Sequence, residues 1–377
     1  MNNEVCRLTG APFPLFAFSH CRDVVVAVSR AGGFGVLGGS SFTPEALEVE
    51  LKWIDDHVEG RPYGIDILIP ENQAFGGEVS VAQLVEQIPQ AHRDFVVRLL
   101  AGHDIQAKLG NDVLSSWRPT TLPDVGEALM DVAFRHPIKL IANALGIAPP
   151  SMIERARRHG VPVAALVGAK EHAIRQVKAG VDVIVAQGGE AGGHCGEVST
   201  LVLVPEVIRA IRSVRNVPVL AAGGIMTGEQ MAACMALGAQ GAWTGSVWLA
   251  TTESETSATF RNKMIAATSR DTVRSRARTG KPARQLRSAW HDAWESPGSP
   301  STLPLPLMPM LSQPALAQVD KAADAGNVKA QELVTYFVGQ GVGLVEGIRS
   351  ARTVVQDFKE EFAQALQSVL QVAEEEA

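Results

Sequence analysis

Eight short apolar runs constrain the fold of this chain more than any other feature. They are Pro14–Phe18, Phe34–Leu37, Tyr63–Ile69, Ile138–Asn143, Val161–Val167, Val181–Gln187, Val217–Ala222 and Gly241–Thr244. A parallel strand covered on both faces meets no water on either, so it reads as a continuous apolar run rather than an alternating one. Eight parallel strands, each followed by a helix, are the number that closes a β/α barrel. The intervening helices carry their own boundary signals. Pro149-Pro150-Ser151 opens Met152–His159, with Gly160 placed to cap its end; Thr227 can cap Glu229–Leu237; and Ala169–Ala179 stops at Gly180. Strand, helix and next strand recur within about 30 residues, the span of a βαβ unit.

Residues 71–135 break this rhythm, being too long for a loop between the third and fourth strands. They hold helical patterns near Val79–Ile88 and Ala91–Leu100 and a stretch at Trp117-Arg118-Pro119. The expected organisation is therefore a barrel from 1–70 and 136–255, a helical insertion at 71–135, and a C-terminal helical region at 256–377 packed on the barrel. The insertion leaves on the side where barrel sites form. It is expected to act as a lid whose Phe75, Phe95 and Trp117 line a substrate pocket. Ser296–Pro314, rich in Pro, Ser and Leu, reads as an ordered crossing segment. Val355, Phe358, Phe362, Leu366, Val369 and Leu370 recur at spacings near three and four, which makes an amphipathic helix. Such a helix would be covered by this chain or by a second copy in a homodimer.

Composition removes several function classes. The chain has 377 residues, 46% hydrophobic and 20% charged, the balance of a soluble globular protein. A net charge of −6 disfavours nucleic acid as a partner. No run of about 18 apolar residues suggests a membrane helix, and Met1-Asn-Asn-Glu-Val-Cys6 has no signal-peptide pattern. Cys6, Cys21, Cys195 and Cys234 lack metal-ligand spacing, so the expectation is reduced thiols in the cytoplasm and no metal.

Chemistry concentrates at the C-terminal ends of the late strands, where β/α barrels keep their sites. The seventh run leads into Gly223-Gly224, and the eighth into Thr244-Gly245-Ser246. Glycine lets backbone N–H groups approach an anion closely, and two such turns side by side would cradle a phosphate. The alternative is that these glycines only close tight turns. The sixth run leads into Gln187-Gly-Gly-Glu-Ala-Gly-Gly-His-Cys-Gly196, five glycines in ten residues. His194 lies within this loop and can exchange a proton near neutral pH. Gln187, at the strand end, could donate to a ligand carbonyl or simply satisfy backbone groups.

The run Gln187–Gly196 resembles the signature of the nitronate monooxygenase family, in which Gln-Gly, an acidic residue and Gly-Gly-His follow in this order. Pro218–Ile225, Ala31–Leu37, Arg278–Arg284 and Gly339-Gln-Gly341 are similar to further segments of that family. The resemblance spans most of the chain and is weakest across 71–135. It implies a TIM-type barrel that binds FMN, with the phosphate held at Gly223, Gly224, Gly245 and Ser246. Gln187, Gly192, Gly193 and the first-strand residues Phe18 and Ser19 would lie at the flavin. His194 would remove a carbon-bound proton from a nitroalkane, or donate one in a reductase, and oxygen would reoxidise the flavin. The substrate is a small molecule.

Two departures from the family pattern bear on substrate. Ala17-Phe18-Ser19-His20 stands where the family usually ends its first strand in a small residue, Pro and Met. Asp66 stands where the third strand usually offers an asparagine. An ionised Asp66 could accept but not donate hydrogen bonds, and His20 either pairs with it or is an unrelated loop residue. The competing reading is an NAD(P)H-dependent flavin reductase acting on a quinone or on an enoyl or ring-containing acyl thioester. A flavin-free barrel enzyme for a phosphate ligand ranks lower.

Overall fold

All eight apolar runs are strands. The computed structural model describes residues 3–69, 80–116 and 123–375. Its strands are β1 (Leu15–Ser19), β2 (Phe34–Gly38), β3 (Tyr63–Asp66), β4 (Ile141–Asn143), β5 (Val163–Val167), β6 (Val183–Gln187), β7 (Gly193–His194), β8 (Val219–Ala222), β9 (Ala242–Thr244), β10 (Thr272–Ser275) and β11 (Ala283–Leu286). A closed parallel barrel runs β1-β2-β3-β4-β5-β6-β8-β9, and β9 returns to β1 with Phe16 opposite Trp243.

The barrel interior is packed rather than open. Phe16, Phe34, Val36, Leu140, Ala142, Ala164, Val183, Val185, Leu220, Ala222 and Trp243 form one buried cluster. The Phe16 ring centroid lies 4.8 Å from that of Phe34 and 6.2 Å from that of Trp243. Alternate strand residues share a face. The inward set therefore continues along each strand to Phe18, Asp66 and Gln187 at the C-terminal ends.

Eight helices form the shell: Arg22–Arg30, Pro44–His57, Pro123–Ala133, Pro150–His159, Lys170–Ala179, Thr200–Ile211, Gly228–Ala236 and Ala351–Glu375. Their ends follow the sequence signals. Gly160 and Gly180 adopt left-handed backbone at the ends of two of them, and the Thr227 hydroxyl accepts the Gln230 N–H.

Packing divides the chain differently from the sequence expectation. Val125, Leu129, Met130 and Phe134 belong to the barrel's outer core, and so do Val354, Val355, Phe358 and Phe362 of the helix Ala351–Glu375. That helix packs on Gly228–Ala236 and Arg22–Arg30, which makes it the shell helix of β9. It is thus covered by this chain, while Leu366, Val369 and Leu370 beyond it stay exposed. A second apolar cluster joins Leu84, Val96, Leu100 and Leu114 of the insertion to Trp290, Leu311, Leu316 and Val338. The insertion contributes the helices Val81–Glu86, Gln90–Gly102 and Asn111–Ser116 to this second unit. Phe95 packs on Trp294, with ring centroids 4.7 Å apart. Phe75, Trp117 and the stretch Trp117-Arg118-Pro119 lie outside the described residues.

The expected crossing segment at Ser296–Pro314 becomes helix from Leu307, which runs to Asp324 through two prolines. Pro309 falls in the first turn, where its missing N–H has no helical partner to lose. Among the described residues, no helix is long and apolar enough to cross a membrane.

Candidate active site

The glycine-rich loop after β6 is built around an acidic residue. Glu190 turns its carboxylate to the start of the helix Thr200–Ile211, where both oxygens accept the Thr200 N–H at 3.1 and 2.9 Å. The positive end of the helix dipole favours a carboxylate there. The Thr200 hydroxyl lies 2.9 Å from Glu190 Oε2 and 2.9 Å from the Gly223 carbonyl, which ties this loop to the turn after β8. Arg284 donates from Nε and Nη2 to the Gly189 carbonyl at 3.0 and 2.8 Å.

His194 sits on β7, a two-residue strand paired antiparallel with β11, with His194 opposite Ala283. Gly192 is required before it, because a Cβ there would lie 2.8 Å from the Val338 backbone. Nε2 of His194 lies 2.8 Å from the Thr279 hydroxyl, and its ring centroid is 6.1 Å from that of Phe337. Burial, and then the Lys281 ammonium, push its pKa down to about 4.

His194 and His20 both present accessible surface, yet both are crowded by protein strongly enough to disfavour the charged ring. Solvent on the open side of His194 tempers the shift without changing its direction, so the ring is neutral at pH 7. His20 Nδ1 lies 3.1 Å from the Gly38 carbonyl, and its ring meets Phe18 edge-on at 5.2 Å. It does not pair with Asp66. Among the described residues Oδ1 of Asp66 is buried without a hydrogen-bond partner, and burial pushes the Asp66 pKa up to about 7.

The turns after β8 and β9 have the character of an anion cradle. Gly223 and Gly224 take φ of 109° and 73°, which L side chains rarely adopt. A Cβ on Gly245 would meet nothing within 4 Å. The backbone N–H groups of Gly224, Ile225 and Ser246 have no acceptor among the described residues. The Ser246 hydroxyl accepts the Gly339 N–H at 2.9 Å and keeps its own proton to donate. The carboxylate of Glu190, whose side chain lies against Gly224, is committed to Thr200. Neutral donors and the open space at Gly245 fit a phosphate. The inward polar groups Asp66 and Gln187 fit the edge of a ring system.

The structure therefore brings Gly192, Gly193, His194, Gly223, Gly224, Gly245 and Ser246 to one end of the barrel. Phe18, Asp66 and Gln187 lie at the inward strand ends below them. The Gln187 amide has no partner among the described residues. The Ser19 hydroxyl accepts the Cys21 N–H at 3.1 Å and, like that of Ser246, keeps its own proton to donate. Sequence reasoning missed Thr279, Thr200 and Arg284, whose roles depend on pairings across many residues. It also missed the side chain of Asn143, which binds the Ile69 N–H at 3.0 Å and ties the ends of β3 and β4 together.

A family profile described as nitronate monooxygenase matches residues 18–361 of the chain. A Mycobacterium tuberculosis protein provisionally named a monooxygenase is 53% identical over 96% of both chains. A Staphylococcus saprophyticus protein provisionally named a nitronate monooxygenase is 27% identical over 92% of this chain and 94% of its own. Among solved structures, the nitroalkane oxidase of Streptomyces ansochromogenes superposes with a TM-score of 0.79 at 26% identity, covering 97% of this chain and all of the other. FabK of Thermotoga maritima gives a TM-score of 0.72 at 25% identity over 99% of each chain.

Proposed function

Because this chain belongs to the nitronate monooxygenase family, and so to the FMN-dependent oxidoreductases, we propose that it oxidises a nitroalkane or its nitronate, with His194 as the acid–base group. One observation carries the reading. A neutral imidazole, held by β7, β11 and Thr279, stands at the end of the barrel that carries the glycine turns suited to phosphate.

Gly223, Gly224, Gly245 and Ser246 would hold the FMN phosphate through backbone N–H groups and one hydroxyl. Phe18, Ser19, Asp66, Gln187, Gly192 and Gly193 would surround the ring. Bound FMN would accept electrons from the substrate carbon and pass them to oxygen. The protein's own residues handle the proton. A neutral His194 can take a proton from the carbon beside a nitro group, leaving a nitronate and an imidazolium. Burial and Lys281 oppose that imidazolium, while the nitronate's negative charge beside it offsets them.

A second reading is supported by Asp66. With its pKa near 7, its carboxyl is partly protonated at neutral pH and can donate a hydrogen bond. That suits a reductase, in which NADH or NADPH supplies the electrons and an unsaturated acyl thioester or a quinone receives them. The likeness to FabK points the same way. The free thiols of Cys6, Cys21, Cys195 and Cys234 agree with a reducing cytoplasm.

Anaerobic mixing of the yellow purified protein with a nitronate, NADH or NADPH separates the readings. Bleaching by the nitronate alone is expected. Bleaching only by a nicotinamide replaces the first reading with the second. His194→Ala should retain flavin and lose about 100- to 10,000-fold in turnover; near-normal turnover removes His194 from the chemistry.

A further inference from the structure

We infer that Thr279 is a positioning residue that fixes the tautomer of His194, so that Nδ1 is the atom exchanging a proton with substrate. The inference deepens the proposed function and rests on His194 being its acid–base group.

The argument is one of valence. A hydroxyl has one proton to donate and two lone pairs to accept with. The Thr279 oxygen lies 3.1 Å from the Lys281 carbonyl, 3.4 Å from the Lys281 N–H and 2.8 Å from His194 Nε2. The carbonyl can only accept, so it takes the hydroxyl proton. The Lys281 N–H can only donate, so it takes one lone pair. What remains for His194 is the other lone pair, and Nε2 must bring its own hydrogen. A neutral imidazole carries a single N–H. Nδ1 is then left as a bare lone pair, and it has no partner among the described residues.

The support beneath this contact is rigid. Thr279 is only 5% exposed, and the preceding Arg278 is only 4% exposed. Its guanidinium donates to the Thr335 carbonyl at 3.0 Å and to Gln313 Oε1 at 3.3 Å. It lies 5.2 Å from the Tyr336 ring centroid and 5.0 Å from that of Phe337. Phe337 in turn faces His194. Guanidinium, phenyl ring and imidazole follow one another, the imidazole tilted at 44° to the phenyl ring, and pack around the hydroxyl and the ring it orients.

The test is long-range proton–nitrogen NMR on flavin-loaded protein labelled with 15N-histidine. The His194 signal is identified by its loss in His194→Gln. Wild type and Thr279→Ser should show hydrogen on Nε2 and none on Nδ1. Thr279→Val should lose that fixed pattern. It should also lower kcat with a neutral nitroalkane tenfold or more, short of the about 100- to 10,000-fold that a whole acid–base group contributes, with little change in KM. Hydrogen on Nδ1 in wild type overturns the proposal, as does an unchanged pattern or unchanged turnover in Thr279→Val. If the tautomer behaves as expected but His194→Ala keeps full turnover, the acid–base reading fails, and with it the positioning role.

Discussion

Asp66 carries one carboxyl oxygen with no hydrogen-bond partner among the described residues, at the inward end of β3. In sequence it is an acid at the end of an apolar strand, where the family usually offers an asparagine. Of the two alternatives for His20, the unrelated loop residue holds: it bonds the Gly38 carbonyl of the neighbouring strand end. Burial keeps the carboxyl protonated up to about pH 7 against an ordinary 3.8. A folded-state pKa above the unfolded value gives stability that is present below pH 4 and lost as pH rises through 7. Asp66→Asn has no such loss. Above pH 7 it should be more stable than wild type by up to about 4 kcal/mol, the equivalent of the shift at about 1.4 kcal/mol per pKa unit. Melting temperatures of both proteins at pH 5 and pH 8 measure this. An equal fall in the two proteins would show that Asp66 does not ionise over that range. His194 was legible because glycines surround it. Thr279 was not, since it lies 85 residues away in sequence and reaches His194 only once β7 pairs with β11.

The barrel strands were legible as elements because burial on both faces leaves a local mark, the unbroken apolar run. The small sheet β10-β11-β7 leaves none. Its strands, such as Ala283-Arg-Gln-Leu286, mix charged and apolar residues, and β7 is two residues long, so only tertiary pairing defines them. The helix Leu307–Asp324 was hidden by its prolines. The glycine turns showed both in sequence and in structure, and they make a sharp prediction. In Gly224→Asp the backbone must hold φ near 73° with a side chain, whose Cβ would press within 3.1 Å of Glu190. The new carboxylate would also repel a phosphate. The variant should purify colourless, and a normal ratio of flavin to protein absorbance would place the phosphate elsewhere.

At the scale of the whole molecule, the helix Ala351–Glu375 was legible as amphipathic, but its place in the shell was not. About a hundred residues of the second unit separate it from β9, the strand it completes. Its contact with the helix Gly228–Ala236 is close: the Gly228 N–H donates to Glu361 Oε2 at 2.6 Å, and a Cβ on Gly228 would strike the Phe358 backbone. Phe358 is buried in the same seam. Phe358→Ala should cost about 3–5 kcal/mol through lost burial and the cavity left behind, read as a fall in the urea midpoint. A loss below 1 kcal/mol would mean that the helix is not part of the barrel's core. This placement also sets a clock during synthesis. A ribosome adds about 5–20 residues per second, so the shell beside β9 stays bare for roughly 5 to 20 s after that strand is made. For that interval the nascent chain carries a nearly complete barrel with one apolar flank uncovered, the period in which a chaperone has most to bind.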